Sequence, residues 1–207
     1  MRDTTLYMWA TPNSRRASIL LEELGLRYEV QPVNIRAGEQ HDPKIVALNP
    51  FAKLPILTWH ENSERRVLFE SGAILTSFAE RFEQYLPAAR KERETVLTWL
   101  MVALTSVGPL TGMAHHWSTL AGEKSDVALK HHVSLVDRVY RLLDGRLQQR
   151  RYLADEYSIA DIAAFPWIAV SEWTTLDLAD YPNLERWHDH VSTRPAVQRG
   201  MALPTIE

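Results

Sequence analysis

The sequence predicts an α+β domain followed by an all-α domain. Up to about residue 85, short apolar runs with β-branched residues alternate with helical stripes, in the order βαβ-αββα. Beyond about residue 88 the chain lacks strand alternation and shows only helical periodicity. Pro87 and its small neighbours, between these regions, have the composition of a linker. We therefore expect a first domain over residues 1–84, a linker over residues 85–91 and a second domain over residues 92–207.

The βαβ half of the first domain opens with a short apolar strand. A polar loop at residues 11–14 follows, and either Asn13 or Ser14 can cap the next helix, whose inward stripe is apolar. Gly25 is placed to end that helix. Residues 28–35 carry β-branched side chains in loose alternation, which predicts a second strand.

The αββα half begins with a short helix over residues 43–48. Residues 54–59 then predict a strand entered through a proline, and residues 67–69 predict its partner. The polar residues 60–66 between them are expected to form the turn of a hairpin. A helix over residues 70–85, with apolar positions at helical spacing, completes the domain.

The second domain shows two strong helical signals. Apolar residues recur at alternating spacings of four and three over residues 125–149, which is the stripe of a long packed helix. Ser158 and Asp161 have the spacing of a capping box and predict the start of a later helix. Because residues 162–170 hold no charge, we expect that helix in the centre of the domain, bent at Pro166.

The composition limits the classes of function. The formal net charge is −3, which gives no electrostatic reason to expect nucleic acid or an anionic membrane as a partner. The chain has no cysteine, so any sulfur chemistry must use a borrowed thiol. Only five apolar residues follow Thr4-Thr5, too few for a signal peptide, and no run approaches membrane-spanning length. We expect a soluble cytoplasmic protein with no membrane partner.

Three separated loops of the first domain are expected to converge on one edge of its sheet. Residues 11–14 offer hydroxyl and amide groups at a helix start, where an anion is favoured. Leu54 offers strand-edge backbone beside Pro55, and the neighbouring Lys53 can pair with a carboxylate. Glu70 can take an ammonium group, while Ser71 can hold a carboxylate. Together these groups predict a zwitterionic, peptide-like ligand with two carboxylates, and glutathione fits that description.

Three motifs resemble the cytosolic-type glutathione transferases and stand in that family's order along nearly the whole chain. They are N-P-F-A-K-L-P at residues 49–55, F-E-S-G-A-I-L at 69–75 and S-I-A-D-I-A at 158–163. A-T-P-N at 10–13 and G-E-Q at 38–40 further resemble the bacterial Nu class and its relative, the yeast nitrogen-regulating prion protein. The resemblance implies a thioredoxin-like first domain, an all-α helical-bundle second domain and a homodimer.

The same resemblance implies roles for individual residues. Thr11 and Asn13 are implied to contact the glutathione sulfur and so to be the catalytic residues, with Ser14 open as an alternative sulfur contact. The implied glutathione-binding residues are Gln40, Lys53, Leu54, Glu70 and Ser71. An ionised glutathione thiol can attack a disulfide or a small electrophile, and the sequence does not choose between these second substrates.

The chain departs from the family pattern at several places. Phe51 stands where an asparagine is usual, and Lys130 or His131 stands where relatives have an arginine that reaches glutathione. Adjacent histidines at 115–116 and 131–132 suggest a metal site. Neighbouring side chains on a helix point about 100° apart and do not easily share one ion, so we expect no metal site. Two alternatives to an enzyme stay open: a non-catalytic regulatory or interaction module of the same fold, and a carrier of apolar ligands.

Overall fold

The computed structural model describes residues 2–205, and these divide into two compact units. The first unit runs to Gln84 and takes up again at Arg194, whereas the second comprises Tyr85–Thr193. Each unit has its own hydrophobic core, as domains generally do.

The first unit contains a four-stranded mixed sheet in the order β2-β1-β3-β4. β1 pairs with β2 in parallel and with β3 in antiparallel register, and β3 pairs with β4 in antiparallel register. The helices of the unit confirm the expected βαβ-αββα order. The strands are β1 (Arg2–Met8), β2 (Glu29–Pro32), β3 (Ile56–Glu61) and β4 (Glu64–Phe69), and the helices are α1 (Pro12–Glu23), α2 (Pro43–Val46), α3 (Ser71–Phe82) and, from the C-terminal segment, α9 (Pro195–Met201).

Alternation along the strands places apolar side chains on both faces of the sheet. Trp59 of β3 meets Phe78 of α3 edge-on, with 5.3 Å between ring centroids. Ile56 instead joins Val33 and Ile45 of α2 in a separate buried cluster. Because both faces are covered by helices, the sheet forms a rigid support for the loops at its edge.

The hairpin differs in detail from the sequence expectation. The polar stretch 60–66 was expected to be turn, but β3 continues to Glu61 and β4 begins at Glu64. Only Asn62 and Ser63 connect the strands, and both have positive φ (48° and 69°). Such a pair is typical of a two-residue hairpin turn, and the flanking polar residues extend the strands because their side chains face solvent.

The C-terminal segment also differs from the sequence expectation, which assigned residues 92–207 to the second domain. α9 packs on α1 within the first unit, where Ser18 Oγ donates to the carbonyl of Gly200 at 2.7 Å. A Cβ at Gly200 would lie 2.6 Å from the Ile19 Cα, so only glycine permits this approach without a shift. The guanidinium of Arg194 adds a bidentate ion pair with Glu23. Helical periodicity alone does not say which unit a helix joins.

The second unit is all helical, as expected. Its long helix α6 carries the predicted stripe, with Val136, Tyr140 and Leu143 buried. α7 begins with the predicted capping box between Ser158 and Asp161 and is buried almost all round. The helices are α4 (Arg90–Val102), α5 (Gly108–His115), α6 (Asp126–Leu147), α7 (Ile159–Ile168) and α8 (Pro182–Ser192), with π-helical turns at Ala103–Val107 and His116–Leu120.

These π turns join α4 and α5 into one helical stretch, Arg90–Leu120. By length and composition this stretch could cross a membrane, so the expectation that no run approaches that length is wrong. A third of its most apolar window is buried in the structure, and a single helix of this kind is weak evidence for a membrane span, because core helices of soluble proteins pass the same test. α4 packs against α7, the central helix of the unit.

Candidate functional site

The loop before α1 is closed by Thr11, which is the N-cap of that helix. Its Oγ1 accepts from the Ser14 amide at 3.3 Å and donates to the Ser14 Oγ at 3.0 Å. Thr11 and Ser14 therefore form one hydroxyl pair at the helix start, where unpaired amides and the helix dipole favour negative charge. A hydroxyl proton can rotate, so Ser14 can become the donor and leave the Thr11 proton for a ligand.

A buried guanidinium connects the starts of α1 and α3. Arg16, only 3% exposed, donates from Nη1 to the amide oxygen of Asn13 at 2.8 Å and to the Ser71 hydroxyl at 3.3 Å. Burial lowers the pKa of Arg16 to about 9, while the charge of Glu70 acts to raise it. Arg16 therefore remains a cation at neutral pH and supplies positive charge beside both helix starts.

Glu70 and Ser71 form the start of α3. Glu70 has φ +70° and ψ 116°, a conformation that costs a residue with a side chain about 1–3 kcal/mol. Its side chain is exposed, whereas Ser71 is buried and begins the helix. Strain of this kind is found where the surroundings hold a residue in place for a purpose, and here it sets an exposed carboxylate beside a helix N-terminus.

The loop before β3 brings a third set of groups. Asn49 is buried and clamps this loop, because its Nδ2 donates to the Lys53 carbonyl at 2.8 Å and its Oδ1 accepts from the Phe51 amide at 3.0 Å. Lys53 is exposed, and its Nζ lies 5.7 Å from the centroid of the Phe51 ring. The Leu54-Pro55 peptide bond that follows is cis.

These three segments meet at a pocket of about 260 Å³ in the first unit. It is lined by Asn13, Asn49, Phe51, Lys53, Leu54, Pro55, Glu70 and Ser71. Five of the seven predicted site residues thus lie around one pocket. Thr11 is not on its wall but lies two residues before Asn13, and Gln40 lies in the 3₁₀ turn Glu39–His41 with its Oε1 buried and unpaired.

A larger pocket of about 640 Å³ lies elsewhere in the first unit, beside α2. Tyr7, Gln31 and Arg65 are among the residues on its wall, and no predicted site residue lines it. Charged residues of both signs border it, as they do the smaller pocket, but none of its lining residues stands at the start of a helix as long as α1 or α3. The smaller pocket is therefore the candidate site, because two helix starts and Lys53 give it an anion-binding character.

The sequence did not point to Arg16 or Asn49 as parts of the site, and it singled out Phe51 only as a departure from the family pattern. Arg16 has the i+3 spacing from Asn13 that places two side chains on one helix face, which was the available signal. Phe51 is 65% exposed beside Lys53, so an apolar ring replaces the polar group usual at that position. Lys130 and His131 are exposed on α6 of the second unit, and which of them reaches a ligand stays a prediction.

Comparison with protein families identifies both halves of the chain. Residues 10–81 match the model of the glutathione S-transferase N-terminal domain, and residues 100–195 match that of the glutathione S-transferase C-terminal domain. The disulfide-bond oxidoreductase YfcG of Escherichia coli is 36% identical over 204 residues, which cover 96% of this chain and 93% of that protein. The resemblance inferred from the motifs, including that to Ure2p-like relatives, is confirmed.

The solved structures that match this chain over nearly its full length include two with glutathione or glutathione disulfide bound. One is a glutathione transferase from Burkholderia graminis with two glutathione molecules bound per subunit. It has a TM-score of 0.92 and 32% sequence identity, and the match covers 100% of this chain and 90% of that chain. The other is a glutathione transferase from Pseudomonas putida with one glutathione disulfide bound per subunit. It has a TM-score of 0.92 and 33% sequence identity, and the match covers 98% of this chain and 92% of that chain. The thioredoxin-like first domain and helical second domain are thereby confirmed.

Proposed function

The chain belongs to the glutathione S-transferase family, and we propose that it is a glutathione-dependent enzyme that reduces disulfides by thiol exchange. The observation that carries this proposal is the pocket at which Asn13, Lys53, Glu70 and Ser71 meet at two helix starts. The glutathione disulfide held by the Pseudomonas relative and the activity in the name of the E. coli relative support the choice of reaction.

In the proposed binding mode, the carboxylate of Glu70 takes the ammonium group of glutathione, and Ser71 with the α3 amides takes the carboxylate beside it. Lys53 pairs with the second carboxylate, Leu54 pairs through its backbone, and Gln40 contributes from its turn. The sulfur lies at the start of α1, where Thr11 and Asn13 donate hydrogen bonds to the thiolate. Such donors favour the ionised thiol, and about 2.7 kcal/mol lowers its pKa by two units.

The chemistry runs on glutathione alone because the chain has no cysteine. The thiolate attacks one sulfur of a disulfide, the S–S bond breaks, and the leaving thiolate takes a proton, which leaves a mixed disulfide with glutathione. A second glutathione thiolate attacks the glutathione sulfur of that mixed disulfide and releases glutathione disulfide and the second thiol. Two glutathione molecules are oxidised for each disulfide reduced.

Conjugation to a small electrophile is the second candidate reaction, because the same thiolate can attack carbon and the family model is that of transferases. The test is calorimetric titration with glutathione and glutathione disulfide, followed by turnover with a small disulfide and with a chloronitrobenzene. Faster turnover of the disulfide supports the proposal, and faster conjugation reverses the order of the two reactions. Tight binding without turnover would make the chain a regulatory module or carrier.

The finer properties are also proposals. We propose that the chain is a soluble, cytoplasmic homodimer, as the motif resemblance implies. We propose no nucleic acid or membrane partner, because the net charge of −3 gives no electrostatic attraction to either. Among residues 2–205, no group of three or more His, Cys, Asp or Glu is arranged to hold a metal ion. Light scattering at micromolar concentration measures the oligomeric state, and a monomer would contradict the dimer.

A further inference from the structure

A buried cation lies next to the pocket without lining it. Arg16 lies behind the wall formed by Asn13 and Ser71 and donates one hydrogen bond to each, although 55 residues separate Arg16 from Ser71 in the chain. Both partners are on the pocket wall, and both belong to first turns of helices. The guanidinium therefore acts on the pocket through two other side chains.

A guanidinium has only donors, and this fixes how its partners are oriented. The amide atom of Asn13 that faces Arg16 has to be the oxygen, so the remaining polar group of that side chain is the Nδ2 donor. The Ser71 hydroxyl has to accept from Arg16, so its own proton is directed to a different acceptor. Both pocket side chains consequently present donors, which is the polarity that an anion needs.

We infer that Arg16 is a positioning residue that sets the hydrogen-bond polarity of the pocket toward anions. Through Asn13 it orients a donor toward the thiolate, and through Ser71 it orients a donor toward a carboxylate of glutathione. This inference rests on the proposed function, because it assumes that glutathione occupies the pocket. It assigns a role to a residue that does not contact the ligand itself and acts on it through Asn13 and Ser71.

Electrostatics agree with the geometry. Arg16 is 3% exposed, so its charge is poorly screened by water and acts strongly over short distances. The negative charge of Glu70 opposes the loss of the Arg16 proton. The other charged residue on the pocket wall is Lys53, which is exposed. A buried cation at the base of a mixed pocket biases it toward anions in a way that an exposed lysine cannot.

The test compares Arg16→Met, which removes the donors, with Arg16→Lys, which keeps a donor-only cation. The pKa of the bound glutathione thiol is followed by thiolate absorbance, and affinity for S-methylglutathione, which has no thiol, is measured by calorimetry. We expect Arg16→Met to raise the bound thiol pKa by about one unit and to weaken S-methylglutathione about tenfold. Arg16→Lys should keep the thiol pKa within a few tenths of a unit.

Arg194→Met is the matched control, since it removes a bidentate guanidinium from the far end of α1 and should leave both readouts unchanged. If Arg16→Met does not fold, Arg16→Gln replaces it, and its mixed donor and acceptor amide should raise the thiol pKa relative to Arg16→Lys. Wild-type thiol pKa and affinity in the Met or Gln variant would overturn the inference alone. Absence of glutathione binding by the wild-type chain would overturn the proposed function and this inference together.

Discussion

Both units of the molecule contain a charged residue that is almost completely buried, and these two residues, Arg16 and Asp161, are used differently. Arg16 in the first unit is 3% exposed, and Asp161 in the second is 0% exposed. Asp161 accepts from the amides of Leu153 and Ser158 and from the indole of Trp187, all within the core. Arg16 instead bonds Asn13 and Ser71, whose other sides face a pocket.

The contrast between Arg16 and Asp161 separates effects on stability from effects on ligand binding. A buried charge whose partners are all buried can act only on the fold, because nothing outside the core responds to it. A buried charge whose partners line a pocket acts on any ligand that those partners meet. We therefore expect replacement of Asp161 to lower stability with little effect on ligand binding, and replacement of Arg16 to weaken ligand binding.

The largest effect is expected from Asp161→Ala. The change leaves the N–H donors of Leu153, Ser158 and Trp187 without their acceptor in the core, and it should lower the free energy of unfolding by about 2–4 kcal/mol at pH 7. Urea unfolding followed by fluorescence measures the loss. The affinity of the folded variant for glutathione, measured at low temperature, should stay within twofold of wild type. A tenfold loss of affinity would show that Asp161, like Arg16, acts on the ligand.

The pH dependence of stability tests the same carboxyl group. Burial raises the pKa of Asp161 from 3.8 to about 6, although its hydrogen bonds act in the other direction. The folded chain then binds the proton more tightly than the unfolded chain, so this contribution to stability is complete below about pH 4. It falls by up to about 3 kcal/mol as the pH rises to about 6 and is constant above that.

The measurement is the difference in unfolding free energy between wild type and Asp161→Ala across pH 4 to 8, which cancels the other titrating groups. The difference should narrow between pH 4 and 6. Widening over that range would mean that the donors around Asp161 outweigh its burial, and that the carboxylate stabilises the unit in its charged form.

Thr11 tests the pocket side of the comparison. Thr11→Ala removes a proposed donor to the thiolate, and we expect turnover to fall about 10–100-fold with less than a threefold change in glutathione affinity. Loss of the N-cap should also lower the free energy of unfolding by about 1 kcal/mol. Thr11→Ser is the control because it keeps the cap and the hydroxyl. Equal loss of turnover and affinity would assign Thr11 a positioning role.

Sequence patterns predicted most of the fold and named five of the eight residues that line the candidate pocket, because both depend on local chemistry. The capping box of α7 is set by Ser158 and Asp161 three residues apart, and five of the predicted residues lie around one pocket. Arg16 was missed because its second partner, Ser71, is distant in the chain. The place of α9 was missed because a close approach at Gly200 is a property of two surfaces, and neither helix shows it alone.

The smallest effect is expected from Glu70→Gln, which keeps the size of the side chain and removes its charge. Glutathione should bind about tenfold more weakly, because an exposed carboxylate contributes modestly to holding the ligand ammonium, and turnover at saturation should stay within twofold. A glutathione analogue without the α-amino group completes a double-mutant cycle. Wild type should lose about tenfold with the analogue, whereas Glu70→Gln should bind the analogue and glutathione about equally. If the losses of affinity caused by Glu70→Gln and by the analogue simply add, Glu70 does not contact the ligand ammonium. Any weaker binding by Glu70→Gln would then be assigned to the interaction of Glu70 with the charge of Arg16.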